Sequence, residues 1–308
     1  MKKLLVVLMA AMMVLSVAVV AMAEVAVTGD FRAEFIKDDA GTTDANAMDN
    51  LDFFKNDLRL NFNGKVSDTV NAYAQFAYDS SKSNPVILKE YYVTLNQSWA
   101  KVMAGNWDYK LLPDRVILKL HNINCVNAGV GGMQWLFDIP VGDAVTVGLW
   151  MTPTLADDSL DYDAKLKYAG KKLGAEVHYG YDASADGDYQ SFSVSYKATD
   201  NVKVFVEGIN ASDEYKATLA SWEDNLATAV GAVFSNIAGS KWTASLEYGL
   251  DNAASTSTDE FNAWASQIKY QFTNKVALEI EYYNYVKDAT NMDTDEENYI
   301  CIRPRIQF

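Results

Sequence analysis

Apolar and polar residues alternate along most of this chain. Leu58, Leu60 and Phe62, for example, are separated by single polar residues. A period of two places one set of side chains on each face of an extended strand. After the first two dozen residues, no helical stripe of comparable length interrupts this pattern. The same alternation recurs at Val145, Val147, Leu149 and Met151, and at Val276, Leu278, Ile280 and Tyr282. The pattern therefore predicts an all-β fold.

The connections between these segments alternate between long and short. Residues 37–50 form a long polar connection, whereas Val66-Ser67-Asp68 and Ile139-Pro140-Val141-Gly142 are predicted turns. A soluble sandwich gives no reason to gather its long loops at one end, but a transmembrane barrel does. Closure also pairs every strand edge, as a membrane requires. We therefore expect a transmembrane antiparallel up-and-down β-barrel of about 16 strands. The predicted strands are approximately 25–36, 51–65, 69–79, 86–96, 100–107, 125–138, 143–152, 160–169, 172–181, 189–197, 201–210, 226–236, 241–250, 262–272, 275–286 and 298–308.

The first segment has a different character. Lys2 and Lys3 precede an apolar run from Leu4 to Val20, and Ala21-Met22-Ala23 follows before Glu24. A basic start, an apolar stretch and a small-x-small site are typical of a cleaved secretory signal peptide. The alternative is a membrane anchor. We predict a signal peptide over residues 1–23 and an exported barrel domain over residues 24–308.

The charge balance restricts the possible partners. Lys+Arg total 26 against 41 for Asp+Glu, so a nucleic-acid partner is not expected. Only 2 histidines and 2 cysteines are present, which leaves little material for a metal site, and no cofactor or metal is predicted. Much of the acid lies in the predicted loops 37–50, 211–225 and 287–297. These loops would concentrate cations at a channel mouth, only keep the surface soluble, or bridge to lipopolysaccharide through divalent ions.

Once the apolar face is assigned to lipid, the other positions face the channel. Closure makes the last strand a neighbour of the first, so one basic cluster spans three adjacent strands. Its guanidinium groups stay charged at any working pH. The alternative is that each arginine only pairs with a nearby acid such as Asp30, Glu34 or Asp57. The cluster consists of Arg32, Arg59, Arg303 and Arg305.

Other charged residues also face inward by this parity, with nearly balanced signs. They could face the third loop or form solvated ion pairs of little energetic value. The main ones are Lys165, Lys167, Glu176, Lys203, Glu279 and Glu281. Cys301 points inward as well, and a disulfide to Cys125 is one possibility in an oxidising compartment.

The final segment, Tyr299 to Phe308, is an amphipathic strand that ends in phenylalanine. Together with the strand number and the long third loop, it resembles the general porins of Gram-negative bacteria. The resemblance implies an outer-membrane location, a homotrimer, and a third loop, residues 108–124, folded into the lumen to narrow it. This loop holds Asp108, Lys110, Asp114, Arg115 and Lys119. It is not acidic and lacks the usual Pro-Glu-Phe-Gly-Gly-type segment, so the resemblance alone does not imply the family's cation preference.

The leading hypothesis is a water-filled channel for passive diffusion of ions and small hydrophilic solutes, without enzymatic chemistry. A substrate-selective channel is the second hypothesis. A barrel lipase would need a Ser–His pair, with His121 and His178 as the only histidines and no Gly-x-Ser-x-Gly elbow in the chain. A structural or adhesive barrel closed by its loops is the remaining alternative.

Overall fold

A computed structural model describes the chain in eleven stretches, which together contain a closed barrel. They are residues 24–38, 52–79, 86–107, 109–110, 125–126, 133–154, 159–183, 186–212, 226–252, 260–288 and 295–308. The strands within them are β1 (Glu24–Asp38), β2 (Asp52–Lys65), β3 (Val70–Asp79), β4 (Val86–Asn96), β5 (Lys101–Asn106), β6 (Tyr109–Lys110), β7 (Cys125–Val126), β8 (Gln134–Val141), β9 (Val145–Thr154), β10 (Ser159–Ala169), β11 (Leu173–Asp182), β12 (Gly187–Thr199), β13 (Val202–Ala211), β14 (Leu226–Phe234), β15 (Trp242–Asn252), β16 (Glu260–Gln271), β17 (Val276–Asp288) and β18 (Asp295–Gln307).

The barrel is an up-and-down antiparallel sheet. Each strand pairs with the strand before and after it in the chain, with β5 pairing directly to β8. The strands β1 and β18 close the ring, with Asp30 opposite Gln307 and Arg32 opposite Arg305. Within the described stretches the barrel therefore contains sixteen strands, as the alternating pattern predicts. The strands β6 and β7 form a separate two-stranded sheet that is not part of the barrel wall.

Two details of the predicted strands were wrong. The sixth barrel strand starts at Gln134 instead of residue 125, because Cys125 and Val126 pair with β6 and not with the wall. The same strand continues through Ile139, Pro140 and Val141, where we expected a turn. The ring of Pro140 is tolerated there because the strand is about to end at Gly142.

The outer surface is apolar, as the period of two requires in lipid. On β10, Leu166 is 50% exposed whereas Asp163, on the opposite face, has no exposed surface. Val25 and Val27 on β1 are each 56% exposed. Outward apolar and inward polar side chains therefore divide the wall into a lipid face and a channel face.

One end of the barrel carries the short connections. They comprise residues 66–69, 97–100, 142–144, 170–172, 200–201, 235–241 and 272–275. In the first, Lys65 Nζ lies 2.8 Å from Asp68 Oδ1 and holds the pKa of the Asp68 carboxyl below its usual value. Connections at the opposite end are mostly longer, although only residues 183–186 join β11 to β12. We call the two ends the short-turn end and the long-loop end.

Among the described residues, no helix has the length and apolar character needed to cross a membrane.

Candidate functional site

The channel face of the barrel concentrates ionisable side chains near the β1–β18 seam. Asp30 on β1 accepts hydrogen bonds from two arginines. Arg32 donates from Nε and Nη2 to Oδ2 at 3.0 and 2.8 Å. Arg305 on β18 donates from Nε to Oδ1 at 2.9 Å, and its Nη2 lies 2.7 Å from Oδ2. We call Asp30, Arg32 and Arg305 the closure cluster, because it joins the first and last strands.

Arg59 and Arg303 lie on either side of this cluster. Arg59 on β2 is opposite Asp30 in the register and lines the same cavity of about 550 Å³ as Arg32 and Arg305. Arg303 on β18 instead donates to Glu281 Oε1 and Oε2 at 2.6 and 3.1 Å, and to Glu279 Oε2 at 3.4 Å. The structure thus places the four predicted arginines on three adjacent strands, and Arg32, Arg303 and Arg305 each contact a carboxylate.

Glu279 and Glu281 on β17 connect these arginines to the next strand. Lys269 Nζ on β16 lies 3.1 Å from Glu279 Oε1. Gln267 Nε2 donates to Glu281 Oε1 at 2.7 Å. Both glutamates are buried, and each is held by neighbouring donors, as a buried carboxylate requires.

A second ionic cluster lies on the opposite side of the barrel. His178 on β11 contacts two carboxylates, with Nδ1 2.8 Å from Asp163 Oδ1 and Nε2 2.9 Å from Glu176 Oε1. Tyr189 donates its hydroxyl to Asp163 Oδ2 at 3.1 Å. The Nζ of Lys167 lies 3.1 Å from Glu176 Oε2. An imidazolium donates from both nitrogens, so this form of His178 satisfies both acids at once.

The remaining predicted lysines are placed individually. Lys165 Nζ lies 2.9 Å from Asp138 Oδ1. Lys203 Nζ lies 5.7 Å from the centre of the Phe205 ring, within the range of a cation–π contact. Lys165 and Lys167 therefore form ion pairs along the wall.

The predicted constriction loop is described only in part. Lys110 lies in β6, opposite Cys125 of β7, and only the backbone of this pair is described. Asp108, Asp114, Arg115 and Lys119 lie outside the described residues. The role of these five residues remains a prediction, and so does a disulfide between Cys125 and the buried Cys301.

Several aromatic residues on the channel face are not among those predicted from the sequence. Tyr73 of β3 stacks on Tyr92 of β4, with ring centres 4.9 Å apart and planes inclined by 28°. Tyr92 meets Trp107 edge to face, with ring centres 5.9 Å apart. Trp150 is almost fully buried and donates from Nε1 to Gln134 Oε1 at 2.9 Å. One sequence signal identifies Tyr73, Tyr92, Trp107 and Trp150. Each is an aromatic residue at a position where the alternating pattern places the side chain in the channel.

A closed barrel with an apolar outside and a charged inside is the architecture of a transmembrane channel. The family comparison agrees with this class, because a model described as Gram-negative porin matches residues 7–291. The chain belongs to the Gram-negative porin family. No curated protein matches it significantly.

Solved structures share the fold at low sequence identity. The outer membrane channel DcaP of Acinetobacter baumannii is 16% identical, with a TM-score of 0.63 over 94% of this chain and 98% of that one. An engineered variant of the Rh. blastica porin is 12% identical, with a TM-score of 0.68 over 92% of this chain and 100% of that one. A loop-deletion mutant of OmpT from Vibrio cholerae is 13% identical, with a TM-score of 0.63 over 93% and 99%.

Family and fold together define the location and the activity. The protein is a porin of the bacterial outer membrane, and its barrel forms a channel for passive diffusion. The predictions of an outer-membrane barrel and of passive diffusion are thereby confirmed.

Proposed function

We propose that ions and small hydrophilic solutes pass the closure cluster, and that this cluster with Arg59 and Arg303 controls which ions pass. The observation that carries the proposal is the sharing of Asp30 between Arg32 and Arg305. These two permanent cations share Asp30, Arg305 also lies 3.8 Å from Glu279 Oε1, and Arg59 adds a third cation to the lining of the same cavity. Passing anions are therefore favoured at this point of the channel, where the low-dielectric wall strengthens the field.

The third loop is the proposed constriction. Residues 108–124 would narrow the lumen and place Asp108, Lys110, Asp114, Arg115 and Lys119 opposite the inner wall. In support, β6 and β7 pair with each other and not with β5 or β8. The chain therefore leaves the barrel wall after β5 and returns to it at β8.

Planar-bilayer recording of the purified protein tests this proposal. We expect stepwise ion conductance, and a reversal potential in a KCl gradient that moves toward cation selectivity when Arg32, Arg59 and Arg303 are replaced by glutamine. A folded wild-type barrel without conductance would contradict the channel role. If the triple variant keeps the wild-type reversal potential and conductance, the arginines have a structural role only.

A substrate-selective channel is the second candidate. The stacked pair Tyr73 and Tyr92 favours it, because an aromatic surface on the wall of a water-filled channel is a surface to which a passing solute can bind.

We also propose that the channel acts without covalent chemistry. A serine hydrolase needs one imidazole nitrogen directed at the serine hydroxyl. In His178 both nitrogens face carboxylates, although Ser191 lies opposite it on β12. The hydrolysis of a phospholipid by wild-type protein at a rate above that of His178→Ala would contradict this proposal.

Export and assembly form the last part of the proposal. Residues 1–23 would be removed as a signal peptide, leaving residues 24–308 as the barrel, which N-terminal sequencing of the exported protein tests. A homotrimer would form through the small outward residues Ala72 and Ala74 of β3 and Val102 and Ala104 of β5. The acidic loops would contact lipopolysaccharide through divalent ions. Native mass measurement in detergent, with and without a chelator, tests both contacts.

A further inference from the structure

Tyr73 and Tyr92 lie on the channel face, where neither residue is fully buried. On β3, Phe76 and Tyr78 are exposed on the lipid face, whereas Gln75 and Ala77 have the parity of Tyr73. Other inward aromatic residues, such as Trp150 and Phe205, are almost completely buried. Tyr73 and Tyr92 are only half-buried, so ring surface remains accessible from the channel.

The two rings are held in place by their neighbours. Tyr73 donates its hydroxyl to Asn61 Oδ1 at 2.9 Å. Gln75 Nε2 donates to the same oxygen at 2.8 Å and to the Tyr73 hydroxyl at 3.0 Å. Tyr92 is fixed by Tyr73 on one side and by Trp107 on the other. A solute would therefore meet a rigid aromatic surface, and ordering that surface on binding would cost little.

Gly105 of β5 contributes to this arrangement. It lies directly opposite Tyr92 in the β4–β5 register. A Cβ atom at Gly105 would collide with the backbone of Tyr91 and Tyr92. The missing side chain lets the two strands approach closely beneath the Tyr92 ring.

Two cavities meet at Tyr73. The first has a volume of about 510 Å³ and reaches past Tyr92 to Thr94 and Asn96. The second, of about 550 Å³, extends along Asn61 and Gln75 to the closure cluster. Each volume lies within the range of small-molecule sites. Amide and hydroxyl groups thus line both cavities, together with charged groups such as Lys101 in the first and Arg59 in the second.

We propose that the Tyr73–Tyr92 pair and the adjoining amides bind uncharged saccharides of one or two rings. A sugar ring has a C–H face that packs on the electron-rich face of an aromatic ring. Its hydroxyl edge both donates and accepts, as do the amides of Asn61 and Gln75. The nearby arginines Arg32 and Arg305 are directed at Asp30, and the groups that hydrogen-bond to the Tyr73 hydroxyl, Asn61 and Gln75, are neutral amides.

This inference rests on the proposed passage of small hydrophilic solutes past the closure cluster, and it specifies one class of those solutes. Since the site lies four residues from the turn at 66–69, we place it near the short-turn end. A solute bound there would occupy the path that ions use, so binding becomes visible as block of the ion current.

The test uses the full barrel in a planar bilayer with sucrose as the probe and sodium gluconate as the charged comparison. We expect sucrose to reduce the ion current saturably, beyond the effect of bulk viscosity. Tyr73→Leu and Tyr92→Leu, which keep apolar bulk but remove the ring, should each raise the half-blocking concentration by about fivefold to tenfold. Tyr92→Phe keeps the ring and should block as the wild type does.

Tyr78→Ala is the matched control, because it removes a tyrosine from the lipid face of the same strand. It should leave the block unchanged. A conducting wild-type channel in which sucrose only slows current in proportion to viscosity would overturn the saccharide site while leaving the channel role intact. Block by gluconate alone, abolished by Arg32→Gln and not by Tyr92→Leu, would also overturn it, since the site would then be electrostatic. Loss of conductance in the wild type would instead refute the channel role.

Discussion

Asp30 is the residue on which the electrostatics of the seam depend. It is 7% exposed, and it accepts hydrogen bonds from both neighbouring arginines. Partly buried pairs of this kind are less screened by salt than surface pairs. A change at Asp30 therefore alters both the orientation of two guanidinium groups and the local charge of the channel.

We predict that Asp30→Asn moves the channel toward anion selectivity. The substitution removes the negative charge that Arg32 and Arg305 share and leaves Glu279, 3.8 Å from Arg305, in place. The reversal potential in a KCl gradient measures the effect. Arg305→Gln is the matched variant, because it removes one cation from the same cluster and should move the potential in the opposite direction. Shifts of the reversal potential in the same direction for both variants would contradict the prediction.

His178 presents a second residue-scale case. Its side chain has no exposed surface, and each ring nitrogen faces a carboxylate. Replacement by alanine would leave Asp163 and Glu176 without the group that separates them. Removing one partner from a buried ionic contact is strongly destabilising.

We expect His178→Ala to lower the free energy of unfolding by about 3 kcal/mol or more. Urea unfolding followed by tryptophan fluorescence measures it. His178→Gln, which still donates one hydrogen bond, should lose less. A loss below about 0.5 kcal/mol for the alanine variant would show that the cluster adds little to stability.

The direction of a residue could be predicted from the sequence, but its partner only as one of several nearby acids, among which Asp30 was named. Parity alone places Arg32, Arg59 and Arg305 on one face of three neighbouring strands. Which carboxylate an arginine selects depends on the stagger between strands and on side-chain reach, neither of which the alternation encodes. The sharing of Asp30 and the pairing of His178 with two acids emerged only from the structure.

At the scale of elements, two glycines illustrate different reasons for the same residue. Gly105 has a φ of 148° and lies against the backbone of β4. Gly142 has a φ of 71° in the turn between β8 and β9, and no atom lies within 4 Å of the position that a Cβ atom would occupy there. The first glycine is needed for both conformation and space, and the second for conformation alone.

We predict that Gly105→Ala is more destabilising than Gly142→Ala. The turn variant should lose about 1–2 kcal/mol, the usual cost of the left-handed conformation. The strand variant should lose more, because its Cβ also forces β4 and β5 apart. Unfolding in urea compares them directly. Equal losses would mean that the β4–β5 contact relaxes without cost.

The sequence predicted the strands well where alternation was unbroken and poorly around β8. A polar stripe and an apolar stripe are enough to recognise strands such as β10 and β17. Between residues 108 and 133 the alternation weakens, and Cys125 and Val126 have the composition of a wall strand although they pair with β6. Pairing partners, and not local composition, decided that boundary.

At the scale of the whole molecule, the pairing between the first and last strands, β1 and β18, extends to Phe308. Its backbone exchanges two hydrogen bonds with Gly29, with N–O distances of 2.8 and 3.0 Å. Its ring lies where a Gly29 side chain would be. The seam is therefore sealed at its short-turn end by one residue pair.

We predict that deletion of Phe308 destabilises the closed barrel by about 1–3 kcal/mol, the value of two hydrogen bonds. Phe308→Ala, which keeps the backbone bonds, should lose less. Gel electrophoresis after heating to a series of temperatures measures the closed form, as the fraction of the protein that still migrates as a compact barrel. A deletion variant as heat-resistant as the wild type would show that closure does not depend on this pair.

The overall architecture was the most predictable level of all. Sixteen alternating segments and a succession of short and long connections were enough to identify the closed barrel and its family. The aromatic pair Tyr73 and Tyr92 was not identified, because it departs from the alternation that made the barrel recognisable.

The Arg305–Asp30 contact joins residues 275 positions apart in the chain. Bringing such distant points together carries an entropic cost whose length-dependent part is about 5 kcal/mol. Contacts of this range form late, since every intervening hairpin can form first. The charge pattern proposed to discriminate between ions therefore requires the first and last strands to pair, and a chain that has not closed cannot possess it.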